Sequence, residues 1–262
     1  MKLGLLITKI IVISLSIICI IPVVITVCFA FFSNWIFPDI LPKSLTLENF
    51  IRCYYDNGIG IFMTSLIVAL LSSIISLVVG TFCAKGLAHY NFKYKNLIML
   101  AVLLPLIIPS FTIVSIAHIN MIKLHIDSTI IGVSLIHSFF AIPYVIRIMM
   151  DYFEIVGMKR EQTARCLGAS NFQTMKFITI PLVKNGILIS LFFAITVSIS
   201  QYVTTLIIGG GKVLTLTTML VPFIRYGNYK MASVYSVFTI MISILAYLIL
   251  VAVQKSLERI KW

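Results

Sequence analysis

Charge is what this sequence has little of. Only 11% of its 262 residues are Asp, Glu, Lys or Arg, and 60% are hydrophobic. An average soluble domain carries about 25% charged residues, so an ordinary soluble globular protein is excluded. Acidic residues are the scarcest, 8 against 20 Lys and Arg, and no charged side chain lies in the middle of a long apolar run. Proton- and sodium-coupled pumps commonly bury carboxylates in the membrane, so a carrier powered by its own ion gradient is disfavoured. Neutral oxygens can also bind sodium, so a secondary carrier or channel using neutral polar ligands stays open as the alternative. A GxxxxGK[ST] phosphate loop is missing, so the sequence offers no cradle for ATP. Cys19, Cys28, Cys53, Cys83 and Cys166 form no CxxC pair, which gives neither a redox motif nor a zinc framework and suits inert packing thiols. The basic residues are scattered singly, so a net charge of +12 does not mark a nucleic-acid partner.

What is present is six apolar stretches, residues 10–38, 58–84, 96–122, 128–146, 185–211 and 231–254. A hydrocarbon core of roughly 30 Å takes about 20 helical residues to cross. None of the stretches alternates polar and apolar residues as a barrel strand does. The reading is an all-α integral membrane protein with six transmembrane helices, one membrane domain over residues 1–262, with lipid as its solvent. Lys2 and Lys9 before an apolar run imitate a signal peptide, but the run reaches Phe37 without a charge or a persuasive small-x-small cleavage site. A retained first helix is expected. Of the 20 Lys and Arg, Lys43, Arg52, Lys123, Lys212, Arg225 and Lys230 fall on one side of the six spans and all the others fall on the opposite side. The positive-inside rule then places both termini and the loop 147–184 in the cytoplasm.

That loop carries Glu161-Gln162-Thr163-Ala164-Arg165-Cys166-Leu167-Gly168-Ala169-Ser170, then Ile178, Ile180 and Pro181. Its chemistry predicts two short helices around a tight turn. Gly168 gives the permissive backbone that ends the first helix, and Ser170 with Gln173 is a capping box for the second. Pro181 marks where that helix stops or bends before span five. Thr163, Ala164 and Ala169 leave little side chain around the turn, while Met158, Leu167, Phe172 and Phe177 offer apolar contacts. A knob of this kind can enter a groove; the same spacing also suits a solvated connector.

The segment resembles the EAA loop of the permease subunits of binding-protein-dependent ABC importers, whose pattern is Glu-Ala-Ala, three residues, Gly, nine residues, Ile, one residue, Leu-Pro. With Gly168 on the glycine, Ala164 takes the second Ala, Ile178 the Ile and Pro181 the Pro. Gln162 replaces the Glu, Thr163 the first Ala and Ile180 the Leu, while Glu161 lies one residue early. Leu41-Pro42, Leu45-Thr46-Leu47-Glu48-Asn49-Phe50, Leu104-Pro105, Ile108-Pro109 and Pro143 extend the resemblance. Ser200-Gln201-Tyr202, Thr204-Thr205 and Gly209-Gly210-Gly211 are most similar to the spermidine/putrescine, ferric iron, thiamine and aminoethylphosphonate group. The resemblance implies a type I importer permease fold in the bacterial inner membrane. It further implies that Glu161, Gln162, Thr163, Ala164, Leu167, Gly168 and Ala169 form a coupling helix docking on a separate ATPase. The permease would pair with a second permease subunit or an identical copy and take solute from an extracytoplasmic binding protein, which would dock at an outer mouth formed in part by residues 212–230. ATP would be held by the partner subunits, and the chain itself would need no cofactor.

Span five is rich in hydroxyl and amide groups. Ser198, Gln201, Tyr202 and Thr205 are spaced to share one broad helical face, and such groups should face protein or water. That face is the candidate translocation path, with helix-to-helix hydrogen bonding as the alternative for any one residue. His118 in span three and His137 in span four are the titratable groups well inside the spans. They read as packed, hydrogen-bonded histidines; a membrane-embedded enzyme or metal site built on them would need further ligands that the sequence does not identify. Pro105 and Pro109 should bend span three, and Pro143 span four.

Overall fold

The computed structural model describes residues 2–33 and 44–259. The described chain is helical between turns, with one isolated bridge from Phe32 to Leu45. Its helices are α1 (Lys2–Ala30), α2 (Glu48–Tyr55), α3 (Gly58–His89), α4 (Lys95–Ile107), α5 (Ser110–Lys123), α6 (Ile130–Val156), α7 (Lys159–Cys166), α8 (Asn171–Thr174), α9 (Ile180–Leu182), α10 (Lys184–Ile199), α11 (Tyr202–Gly209), α12 (Leu216–Arg225) and α13 (Tyr229–Arg259). Among the described residues four helices are long and apolar enough to cross a membrane, or up to six if each of the bent pairs, α4 with α5 and α8–α9 with α10, is one span.

Two expectations are corrected, the end of the first helix and the continuity of span five, while the break in span three falls where Pro109 was expected to bend it. The first helix ends at Ala30 rather than at residue 38; residues 34–38 and Leu41-Pro42 lie outside the described residues. Span three is two helices meeting at 100°. Pro109 is the cause: Ile108 is extended at ψ 135, as the residue before a proline prefers, and the α-helical ladder cannot continue through it. Pro105 and Pro143, by contrast, lie inside α4 and α6 without breaking them. Span five is not one helix either. Gln201 is extended, at φ −80 and ψ 92, and separates α10 from α11, so its polar residues do not share one continuous helical face.

Two compact units are distinguished, Met1–Phe62 with Leu216–Met241 and Met63–Thr215 with Ile242–Trp262. In the first, Asn49 Nδ2 donates to the carbonyls of Ala30 and Phe32, both at 2.9 Å, capping groups that the end of α1 leaves without partners. Phe31, Phe50, Phe238 and Phe62 form a chain of ring contacts, and the buried Tyr235 stacks on Phe223 at 5.5 Å. In the second unit α6 is the axis. Ala141, Val145, Met149 and Phe153 recur every four residues on its buried face and meet Ala84 and Leu87 of α3 and Ala194 of α10. A Cβ at Gly186 would come within 2.6 Å of the Tyr152 ring, so α10 approaches α6 as closely as only a glycine permits.

Candidate functional site

The first candidate site is the turn between α7 and α8. Gly157 (φ 65) ends α6 and Gly168 (φ 89) ends α7, each in the left-handed region that favours glycine. At Gly168 the N–H groups of Gly168 and Ala169 donate to Arg165 and Ala164 carbonyls at 3.0 Å. The chain then enters α8 through the expected capping box. Ser170 N–H donates to Gln173 Oε1 at 2.8 Å, and Gln173 N–H donates to Ser170 Oγ at 3.2 Å. A π-helical turn over Met175–Thr179 leads to α9, and past Pro181 the chain turns by 75° into α10.

Burial sorts the predicted residues of this turn into two faces. Gln162, Thr163, Leu167 and Gly168 are exposed, Ala169 is half-buried, and Leu167 at 84% and Phe172 at 74% exposure stand on either side of the glycine. Lys176 Nζ sits 6.0 Å from the Phe172 ring centre and 5.3 Å from that of Phe177, a cation–π pairing that keeps both rings at the surface. Ala164 and Glu161 face inward. Glu161 is 3% exposed: its Oε2 lies 2.8 Å from Lys85 Nζ and 3.6 Å from Arg165 Nη2, and its Oε1 accepts from Thr179 Oγ1 at 2.6 Å. Burial alone would raise its pKa. The Lys85 and Thr179 hydrogen bonds and the Lys85 and His89 charges outweigh that and hold the carboxyl below its ordinary value. The sequence placed Glu161 in this turn, but its partner Lys85 lies on another helix and no local pattern connects the two.

The second candidate site lies at the break in span five. Ser198, at the end of α10, and Thr205, in α11, are buried and converge on His137 of α6, which is 1% exposed. His137 Nδ1 is 2.8 Å from Ser198 Oγ and Nε2 is 2.9 Å from Thr205 Oγ1, across 61 and 68 residues of sequence. Thr205 Oγ1 donates its proton to the Gln201 carbonyl at 2.9 Å, so it accepts from His137 Nε2–H. In the neutral Nε2–H ring, Nδ1 accepts from Ser198 Oγ–H. The Gln201 side chain accepts from Thr204 Oγ1 at 2.7 Å, and Gln201 and Tyr202 are half-buried. His137 is thus a hydrogen-bonded core histidine holding both halves of span five, while His118 on α5 is half-buried. Sequence reasoning missed the triad because its members are distant in the chain.

Residues 76–260 match the family described as the binding-protein-dependent transport system inner membrane component, and the chain belongs to that family. It is 24% identical over 213 residues to a probable ABC transporter permease of Pyrococcus horikoshii, covering 79% of this chain and 77% of that one. It is 28% identical over 156 residues to the molybdate/tungstate transport system permease of Methanocaldococcus jannaschii, covering 56% and 62%. With the sulfate transport system permease of Salmonella typhimurium it shares 23% over 184 residues, 65% and 66% of the two chains. Its fold is that of a bacterial ABC transporter involved in the import of the acidic polysaccharide alginate, with a TM-score of 0.69 at 16% identity over 97% of this chain and 96% of that one. The chain is accordingly a multi-pass permease subunit of an ATP-driven importer and not an enzyme.

Proposed function

We propose that this permease works in a bacterial inner membrane with both termini in the cytoplasm. It would be paired with a second permease subunit or an identical copy, with two ATPase subunits that hold the nucleotide, and with an extracytoplasmic solute-binding protein. Docking on the ATPase is assigned to the exposed side of the turn, Gln162, Thr163, Leu167, Gly168 and Ala169 with Phe172. Ala164 and Glu161 support it from within. The observation that carries this reading is the pair of large exposed apolar side chains on either side of a glycine at positive φ. Isolated exposed apolar residues are ordinary, but two on either side of one capped turn form an anchor of the kind that fills a partner's pocket.

The expected result for Leu167→Ser with Phe172→Ser is that the ATPase no longer co-purifies with the permease while the amount of permease in the membrane is unchanged. Both side chains are largely exposed, so little fold stability is at stake. Undiminished co-purification refutes the docking assignment.

The solute path is assigned to the break in span five, with Gln201 and Tyr202 at its wall and Ser198 and Thr205 behind them on His137. A neutral polar wall suits a permease because it must release what it accepts. Replacing Gln201 and Tyr202 together with Ala should change the uptake rate or raise hydrolysis without uptake, in an intact complex. An unchanged rate and solute profile removes these two residues from the path. Relatives named for sulfate, molybdate/tungstate and α-glucoside differ in the charge of their solutes, which fits selection by the binding protein. The Ser200-Gln201-Tyr202 motif supports the narrower placement with the spermidine/putrescine, ferric iron, thiamine and aminoethylphosphonate group, and uptake assays with those solutes against sulfate and molybdate test it.

A further inference from the structure

We propose that Glu161 is a positioning residue, a strut that carries movement of the docked turn into α3 and into the root of span five without touching the ATPase itself. The proposal rests on the docking assignment above. The carboxylate is withdrawn from the surface and bonded on two sides, by Lys85 of α3 at 2.8 Å and by Thr179 of the π-helical turn at 2.6 Å. Lys85 is itself largely covered, its side chain 19% exposed, so the pair is shielded from the solvent screening that weakens surface ion pairs.

The backbone makes such a tie necessary. α7 is joined to α6 through Gly157 and to α8 through Gly168, both at positive φ and both with open space where a side chain would begin. A helix connected at each end through glycine can pivot about these links when pulled. Glu161 joins its buried face to two neighbours at once, so a displacement of α7 is delivered as a displacement of α3 and of the segment entering α10. Gln162, which occupies the position of the family's acidic residue, is exposed instead. In this chain the carboxylate stands one position earlier, on the buried face of α7.

The test uses the full complex of permease, ATPase and binding protein in proteoliposomes, read as solute imported per ATP hydrolysed. Coupling free energies between sites commonly correspond to about 5- to 150-fold effects, and Glu161→Gln, which keeps the shape and the Thr179 contact but removes the charge, should lower the ratio about fivefold. The amount of co-purifying ATPase should stay at the wild-type level. The reciprocal exchange, Glu161→Lys with Lys85→Glu, should restore most of the ratio. An unchanged ratio in Glu161→Gln overturns the strut, and so does a loss of ATPase in proportion to the loss of uptake, which would put Glu161 in the contact. If Glu161→Gln cannot be isolated, the exchange variant decides: recovery of both yield and ratio supports the strut, and failure of either overturns it. The Leu167→Ser with Phe172→Ser variant separates the two readings, since its retention of ATPase refutes the docking surface whatever Glu161 does.

Discussion

Gly168→Glu should abolish most ATP-driven uptake while the chain still inserts in the membrane at the normal level. At φ 89 the residue has a backbone conformation that an L side chain rarely adopts. A left-handed residue other than glycine costs roughly 1–2 kcal/mol, enough to move the turn or unwind the end of α7. Nothing lies within 4 Å of the Cβ that would be added, so crowding inside the protein is not the cause. The new carboxylate would also stand beside Leu167, at the tip assigned to the ATPase groove, and would have to be desolvated on docking. Uptake in proteoliposomes should fall by about tenfold or more, which corresponds to about 1.4 kcal/mol or more of lost coupling. Gly168→Asn, which tolerates the left-handed region, should retain more activity than the Glu variant. Normal uptake by Gly168→Glu would show that neither the turn geometry nor its surface matters for coupling.

His137→Leu should loosen the membrane core of the second compact unit. The imidazole bonds Ser198 in α10 and Thr205 in α11, so its loss frees both sides of the break at Gln201 from α6. Hydrogen bonds between membrane helices average about 0.6 kcal/mol and reach about 1.7, which puts the loss of two at about 1–3 kcal/mol. The melting temperature of the detergent-purified protein should fall by several degrees. Ser198→Ala and Thr205→Val should each give a part of that fall, and together with His137→Leu they should add little more, because the three act as one network. Full additivity of the three substitutions would refute the network.

The loop was the most legible part of the candidate site. Gly168, Ser170, Gln173 and Pro181 act through bonds to their immediate neighbours, and the helix end, the capping box and the bend are all present where local chemistry places them. Span three was legible up to a point, since Pro109 announces a break but not its angle of 100°. The break at Gln201 had no such announcement. No proline or glycine stands there, and the extended conformation is held by Thr204, Thr205 and, through Thr205, a histidine 68 residues away. Glu161 is likewise placed in the turn by the sequence, but its burial depends on Lys85 of α3 and on Thr179, which no local pattern joins to it.

The sequence by itself determined that the chain lives in lipid, that it is helical and that it bears a sharp turn at Gly168. Hydropathy over some twenty residues and bonds within one helical turn are properties of neighbouring residues, and they survive without any knowledge of the fold. Only the tertiary structure decided which polar groups face inward. The partnerships of Glu161 with Lys85 and of His137 with Ser198 and Thr205 arise where separate helices meet, and a buried charge or hydroxyl is satisfied by whatever lies across that meeting, not by what precedes it in the chain.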